Sequence, residues 1–159
     1  MAHILFICTA NICRSPVAEA LLKDRLNKRG LLDWTVSSAG TWAQQKRAAS
    51  QNSVIVAQNL YGLDISEHAA RMVELSHLAN ADLVLCMETG HAEALRFEFH
   101  EYADKVFLLS QMVGPAFSIE DPYGGPLKAY ESMARELEDI IDRGLDKIIE
   151  LASANEAQR

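Results

Sequence analysis

Cys8 and Arg14 stand six positions apart in the run His3-Ile4-Leu5-Phe6-Ile7-Cys8-Thr9-Ala10-Asn11-Ile12-Cys13-Arg14-Ser15-Pro16. An apolar strand pattern ends at the cysteine, a short loop of small and polar residues follows, and a serine and a proline open a helix. Backbone N–H groups of such a turn form an anion-binding nest. The first helical turn adds free N–H groups and the positive end of its dipole. That field stabilises an anion, a thiolate included. A thiolate beneath a bound phosphate is placed to attack phosphorus. A guanidinium can grip two equatorial oxygens at once, which an ammonium does less well. Asn11 is one of the few non-glycine residues that tolerates a left-handed backbone, where the loop must turn its amides inward. Taken singly, Cys8 reads equally well as a small buried hydrophobe, Arg14 as a surface cation and Ser15-Pro16 as an ordinary helix start. The order strand, loop, helix makes the phosphate reading the better one.

The elements that must position this loop follow from periodicity. His3 to Cys8 is short and almost wholly apolar, as a strand buried on both faces should be. Ser15 is expected to cap a helix with Pro16 at its first position, and Val17, Leu21, Leu22 and Leu26 give it a helical stripe that stops at Gly30. Trp34 to Ser38, Ala81 to Met87 and Lys105 to Leu109 read as strands. Ala48 to Tyr61, a segment from His68 to Leu75 capped by Ser66, and Gly90 to Phe99 read as helices. Pro126 to about Leu151 is a long helix with Tyr130, Met133, Leu137, Ile141, Leu145 and Ile148 on one stripe, weakened locally by Gly144. Strands alternating with helices imply an α/β fold in three layers, a four-stranded parallel sheet with helices on both faces. Ligands in such sheets bind beyond the carboxyl ends of the strands, where the Cys8 loop lies.

The 159 residues suit a single domain, 1–159, and the small polar tail 152–159 is expected to fray. The net charge of −7 argues against a nucleic-acid or anionic-membrane binder. No apolar run reaches membrane-spanning length, and the first residues lack a signal-peptide pattern. Three cysteines, an odd number, read as reduced thiols in the cytoplasm rather than a disulfide frame. Cys86 sits in a buried strand pattern and reads as core.

The loop Cys8 to Pro16 resembles the signature loop of the low-molecular-weight protein tyrosine phosphatases. The resemblance extends to Ser37-Ser38-Ala39-Gly40-Thr41, Asp64 to Arg71, Asp82 to Met87 and Glu120-Asp121-Pro122-Tyr123-Gly124. It implies the flavodoxin-like fold of those enzymes and hydrolysis of phosphotyrosine through a cysteinyl-phosphate, with no cofactor and no metal. It places the nucleophile at Cys8, the phosphate-binding guanidinium at Arg14 and the general acid at Asp121, which alone would read as a turn residue. Thr9, Ala10, Asn11, Ile12 and Cys13 would form the phosphate loop, and Ser15 would hydrogen-bond the thiolate. Ser38 and His68 would hold Asn11, and Trp42 and Tyr123 would wall a flat phenyl ring. Cys13 would pair with Cys8 under oxidation. By family analogy the partners are phosphotyrosine proteins, among them a tyrosine kinase of bacterial type, and the chain is expected as a monomer or weak dimer.

The departures bear on substrate. Ala10 stands where many members have glycine, so ordinary backbone angles are expected there. Gln44-Gln45-Lys46-Arg47-Ala48-Ala49-Ser50 replaces a loop that in many members contains Gly-x-Pro. Lys46 and Arg47 read slightly better as solvated charges than as a site for acidic peptides. Gly124 replaces the second tyrosine frequent in animal members. A protein arginine phosphatase of the same fold is the nearest rival; those enzymes typically carry threonine at the position of Ile12, whose apolar side chain suits a phenyl ester better. A thioredoxin-coupled arsenate reductase would need two further cysteines close together. A phosphotyrosine-binding pseudophosphatase would not need Cys8, Arg14 and Asp121 intact, and a flavodoxin-like binding module is more remote still.

Overall fold

β1 (His3–Cys8) runs through the middle of the molecule, and every one of its residues but His3 is buried. In this computed structural model, which describes residues 1–159, it is followed by α1 (Arg14–Lys28), β2 (Thr35–Gly40), α2 (Gln51–Tyr61), α3 (Leu75–Asn80), β3 (Leu83–Cys86), α4 (Thr89–Glu98), β4 (Val106–Leu108) and α5 (Leu127–Glu156). Two short 3-10 turns, His100–Lys105 and Leu109–Met112, flank β4. The four strands are parallel in the order β2-β1-β3-β4. The chain thus steps from β1 to one side, then crosses to the other, and the switch in direction lies beside β1.

Alternation along β1 divides the core in two. Ile4, Phe6 and Cys8 face the layer of α1, α2 and α5, where Val17, Leu21, Leu22, Leu137, Ile141 and Ile148 are fully buried. Leu5 and Ile7 face the layer of α3 and α4 with Leu78, Ala92 and Leu95. The three-layer α/β architecture is the one the alternating pattern implies. Truncating a fully buried leucine such as Leu21 in so dense an interior removes about 2–5 kcal/mol.

Several boundaries move for reasons outside the local pattern. α1 begins at Arg14 with Cys13 in the cap position, so Ser15 lies inside the first turn and its hydroxyl is released for another partner. Ala48 pairs antiparallel with Ala69, which delays α2 to Gln51. The helix expected over His68 to Leu75 is absent; its backbone is recruited as a strap. Gly40 N–H donates to the Arg71 carbonyl, Val73 N–H to the Gly40 carbonyl and Arg71 N–H to Asn11 Oδ1. Helix resumes only at Leu75. Nor does the tail fray from Ala152: that residue is fully buried, α5 continues to Glu156, and Asn155 and Arg159 both reach Asp82. Gly144 is less a weak point than a clearance, since a Cβ there would stand 2.7 Å from Met112 Cβ.

Candidate active site

The loop from Cys8 to Arg14 leaves the carboxyl end of β1 and passes directly into α1. Its shape is set by what its carbonyls do. Cys8 O accepts Thr41 N–H, Thr9 O accepts Trp42 N–H and Ile12 O accepts Ser50 N–H. Asn11 O accepts His68 Nε2–H at 2.6 Å, and Cys13 O accepts the Ser53 hydroxyl at 3.1 Å. Five carbonyls are therefore tied outward. The N–H groups of Thr9, Ala10, Asn11, Ile12 and Cys13 have no acceptor in the protein. A run of unpaired donors at a helix start is an anion nest.

Asn11 makes the turn possible. Its φ is 60°, and Ala10 keeps an ordinary negative φ. Its side chain is wholly buried and fully bonded: Oδ1 accepts Arg71 N–H at 3.0 Å, and Nδ2 donates to Ser15 Oγ at 2.7 Å and Ser38 Oγ at 2.9 Å. The proton directions then follow. Ser38 accepts from Asn11 and donates to Glu19 Oε1 at 2.8 Å. Ser15 accepts from Asn11, so its own hydrogen is free for Cys8 Sγ, 2.9 Å away. Burial pushes the Glu19 carboxyl above its ordinary range, which the Ser38 hydrogen bond partly offsets. Ser15 and Ser38 meet the Asn11 side chain, and His68 its carbonyl.

Arg14 is 1% exposed. Its NH1 donates to Ile119 O at 2.7 Å and pairs with Glu88 Oε2 at 2.7 Å, while NH2 lies 3.5 Å from Asp121 Oδ2. Nε–H has no protein partner and is available to an oxyanion. Cys8, Thr9, Ala10, Ile12, Cys13, Arg14, Trp42, Asp121 and Tyr123 all line one pocket of about 400 Å³, together with Ala43, Gln44, Arg47 and Met72. Trp42 and Tyr123 are largely exposed at its rim. Asp121 Oδ1 accepts Tyr123 N–H at 3.1 Å, which turns the loop and leaves Oδ2 on the pocket side with Arg14. Cys13 Sγ lies 3.7 Å from Tyr130 OH, and burial pushes its thiol above the ordinary value. Burial also pushes up Cys86, which is core.

Two residues escaped the sequence reading. Glu88 fixes the buried guanidinium. His91 holds Thr9 Oγ1 at 2.8 Å through Nε2, while its Nδ1 accepts Glu88 N–H. An unprotonated Nδ1 makes Nε2–H the donor to Thr9. Both residues follow the carboxyl end of β3, and that position was the available signal. Burial holds His91 below its ordinary value of 6.5, the nearby Arg14 adding to the effect and Glu88 and Asp121 opposing it. The unfolded chain takes up this proton near pH 6.5 and the folded chain does not. The contribution is thus full above pH 6.5 and is lost as pH falls below it. Melting temperature measured from pH 7.5 to 5 should fall less steeply in His91→Gln than in the parent; identical slopes would contradict this.

A thiol beneath an anion nest, on a doubly wound parallel sheet, defines a site for a phosphate ester next to a nucleophile. The sequence model of the low molecular weight phosphotyrosine protein phosphatases matches residues 3–154. A protein-arginine-phosphatase of Geobacillus stearothermophilus is 39% identical over 147 residues, 92% of this chain and 95% of that protein. A low molecular weight protein-tyrosine-phosphatase of Streptomyces coelicolor is 33% identical over 145 residues, 86% of this chain and 87% of that one. The crystal structure of a low molecular weight protein tyrosine phosphatase from T. tengcongensis superposes with a TM-score of 0.88 at 41% identity, covering 92% of this chain and 99% of its own. The chain belongs to the low molecular weight phosphotyrosine protein phosphatase family.

Proposed function

We propose that this chain hydrolyses phosphotyrosine in proteins by two in-line displacements at Cys8. The observation that carries the reading is the row of five unpaired loop N–H groups around a thiol hydrogen-bonded to Ser15. The Cys8 thiolate attacks phosphorus, and the bond to the phenol oxygen breaks. Asp121, as the carboxylic acid, gives its proton to that oxygen. The cysteinyl-phosphate is then attacked by water, whose proton passes to the Asp121 carboxylate, and the thiolate leaves. Arg14 Nε–H and the loop amides follow the equatorial oxygens through both transition states. Ser15 steadies the thiolate as nucleophile and as leaving group. Ser38 and His68 act by holding Asn11, and Trp42 and Tyr123 flank the phenyl ring. The scheme calls on no metal or cofactor.

A second reading, hydrolysis of phosphoarginine, is favoured by the 39% identity to an arginine phosphatase. Two features of the pocket weigh against it. Ile12 offers an apolar, 2% exposed side chain at the base, and the wall carries the Arg47 guanidinium, which repels a second cation. Phosphate release from a phosphotyrosine peptide and a phosphoarginine peptide, measured side by side in chelator with Cys8→Ser as blank, decides between them. We expect a preference for phosphotyrosine of about tenfold or more; the reverse order would move the substrate class and keep the nucleophile.

The three unpaired cysteines suit a reducing cytoplasm. No helix is long and apolar enough to cross a membrane. A bacterial-type tyrosine kinase as partner, a monomeric or weakly dimeric state and reversible oxidation through Cys8 and Cys13 complete the proposal on family analogy.

A further inference from the structure

Arg47 is the cation on the pocket wall that the chemistry leaves unused. The strand-like strap 69–72 fixes the loop that carries it. Lys46 N–H donates to Ala70 O at 2.7 Å, Ala70 N–H to Arg47 O at 2.8 Å, and Met72 N–H to Gln45 Oε1 at 2.9 Å. Lys46 is held at φ 68°, in the left-handed region that residues with a Cβ seldom adopt. This is a built loop with a set direction. From it the Arg47 side chain crosses the mouth to Tyr123, NH2 donating to the phenol oxygen at 3.3 Å with the guanidinium 5.8 Å from the ring centroid. Of the two arginines that line the pocket, Arg14 is paired with Glu88 and Asp121, whereas Arg47 pairs with no carboxylate. In a chain of net charge −7, Arg47 is an unpaired cation at the pocket mouth, open to a carboxylate.

We propose that Arg47 makes this site selective for phosphotyrosine flanked by acidic residues. The inference rests on the phosphotyrosine reading. A phosphate seated beside Arg14 and a ring between Trp42 and Tyr123 bring the peptide backbone to the rim, where neighbouring side chains meet Arg47 and, beside it, Lys46. An aspartate or glutamate there exchanges the weak Tyr123 contact for a charge-assisted pair. A basic flank meets the Arg47 guanidinium as a like charge.

The test is a ratio. kcat/KM is measured for three phosphotyrosine peptides of equal length whose flanking residues are glutamate, glutamine or lysine. Parent, Arg47→Gln and Arg47→Glu are compared at low and physiological salt. Dividing one peptide by another within each enzyme cancels any change in intrinsic activity. The expected parent order is glutamate over glutamine over lysine, with about tenfold between the extremes at low salt, carried mainly by KM and shrinking as salt rises. Arg47→Gln should bring the spread below about threefold, and Arg47→Glu should invert it. A parent without preference, or a preference that survives in Arg47→Gln, overturns the inference while leaving the phosphatase reading intact. Failure of the parent to release phosphate from any of the three overturns the phosphotyrosine reading and this inference with it.

Discussion

Cys8→Ser is expected to lower turnover of phosphotyrosine peptides by on the order of 10⁴-fold or more without loss of the fold. The substitution changes one atom in a side chain that is 2% exposed, and the smaller oxygen fits where sulfur stood. Ser15 Oγ, 2.9 Å from the sulfur, still faces the new hydroxyl. What vanishes is the nucleophile: a serine hydroxyl has no base at hand here to take its proton, because the neighbouring Ser15 hydroxyl is oriented as a donor by Asn11. The nest is untouched, since its shape depends on carbonyls tied to Thr41, Trp42, Ser50, Ser53 and His68. Inorganic phosphate should therefore bind the variant with a dissociation constant close to that of the parent, as read by calorimetric titration. Near-parental turnover would remove Cys8 from the reaction. Loss of phosphate binding together with turnover would mean that the sulfur also shapes the loop.

Asp121→Ala is expected to separate substrates by the quality of their leaving groups. General acids contribute about 10²–10⁴-fold when the leaving oxygen is basic. An unsubstituted phenyl phosphate should thus lose on the order of 10²–10³-fold, while p-nitrophenyl phosphate, whose phenolate departs readily, loses about tenfold or less. The loop geometry lends itself to a sharper variant. Oδ1 of Asp121 is occupied by Tyr123 N–H, so Asp121→Asn preserves that turn and removes only the transferable proton. It should reproduce the leaving-group dependence of the alanine variant with less effect on KM. Equal losses for both esters would take Asp121 out of the acid role and leave it as a partner that aligns Arg14 across the 3.5 Å contact.

The parts of this architecture legible in sequence are those in which local pattern and tertiary demand agree. β1 falls where its unbroken apolar run says it should, because a central parallel strand must be apolar on both faces. The left-handed turn at Asn11 agrees with its side-chain chemistry. The stripe on α5 is the period of a helix laid on one core. Legibility ends where distant backbone supplies the partner. The segment 68–74 has helical residues but serves as strap, and only the proximity of Asn11, Gly40 and Ala48 explains it. Glu88 looks like any acidic helix start until β3 is known to lie beside β1. Arg47 looks like a solvated charge until the strap fixes its direction. The tail looks disposable until Asp82 is seen to be buried without enough partners nearby in sequence.

The order in which the site's parts occur along the chain has a consequence for synthesis. Cys8 and its loop leave the ribosome almost first. Asn11 needs Ser38 and Arg71, Arg14 needs Glu88 and then the Ile119 carbonyl 105 residues downstream, and Asp121 comes later still. None of these contacts can close before its downstream partner has been synthesised. A nascent or half-folded chain therefore carries a common thiol with no nest around it, inert toward phosphoproteins that pass by. Catalytic power arrives only when the last third of the polypeptide has packed, so activity itself certifies that the molecule is whole.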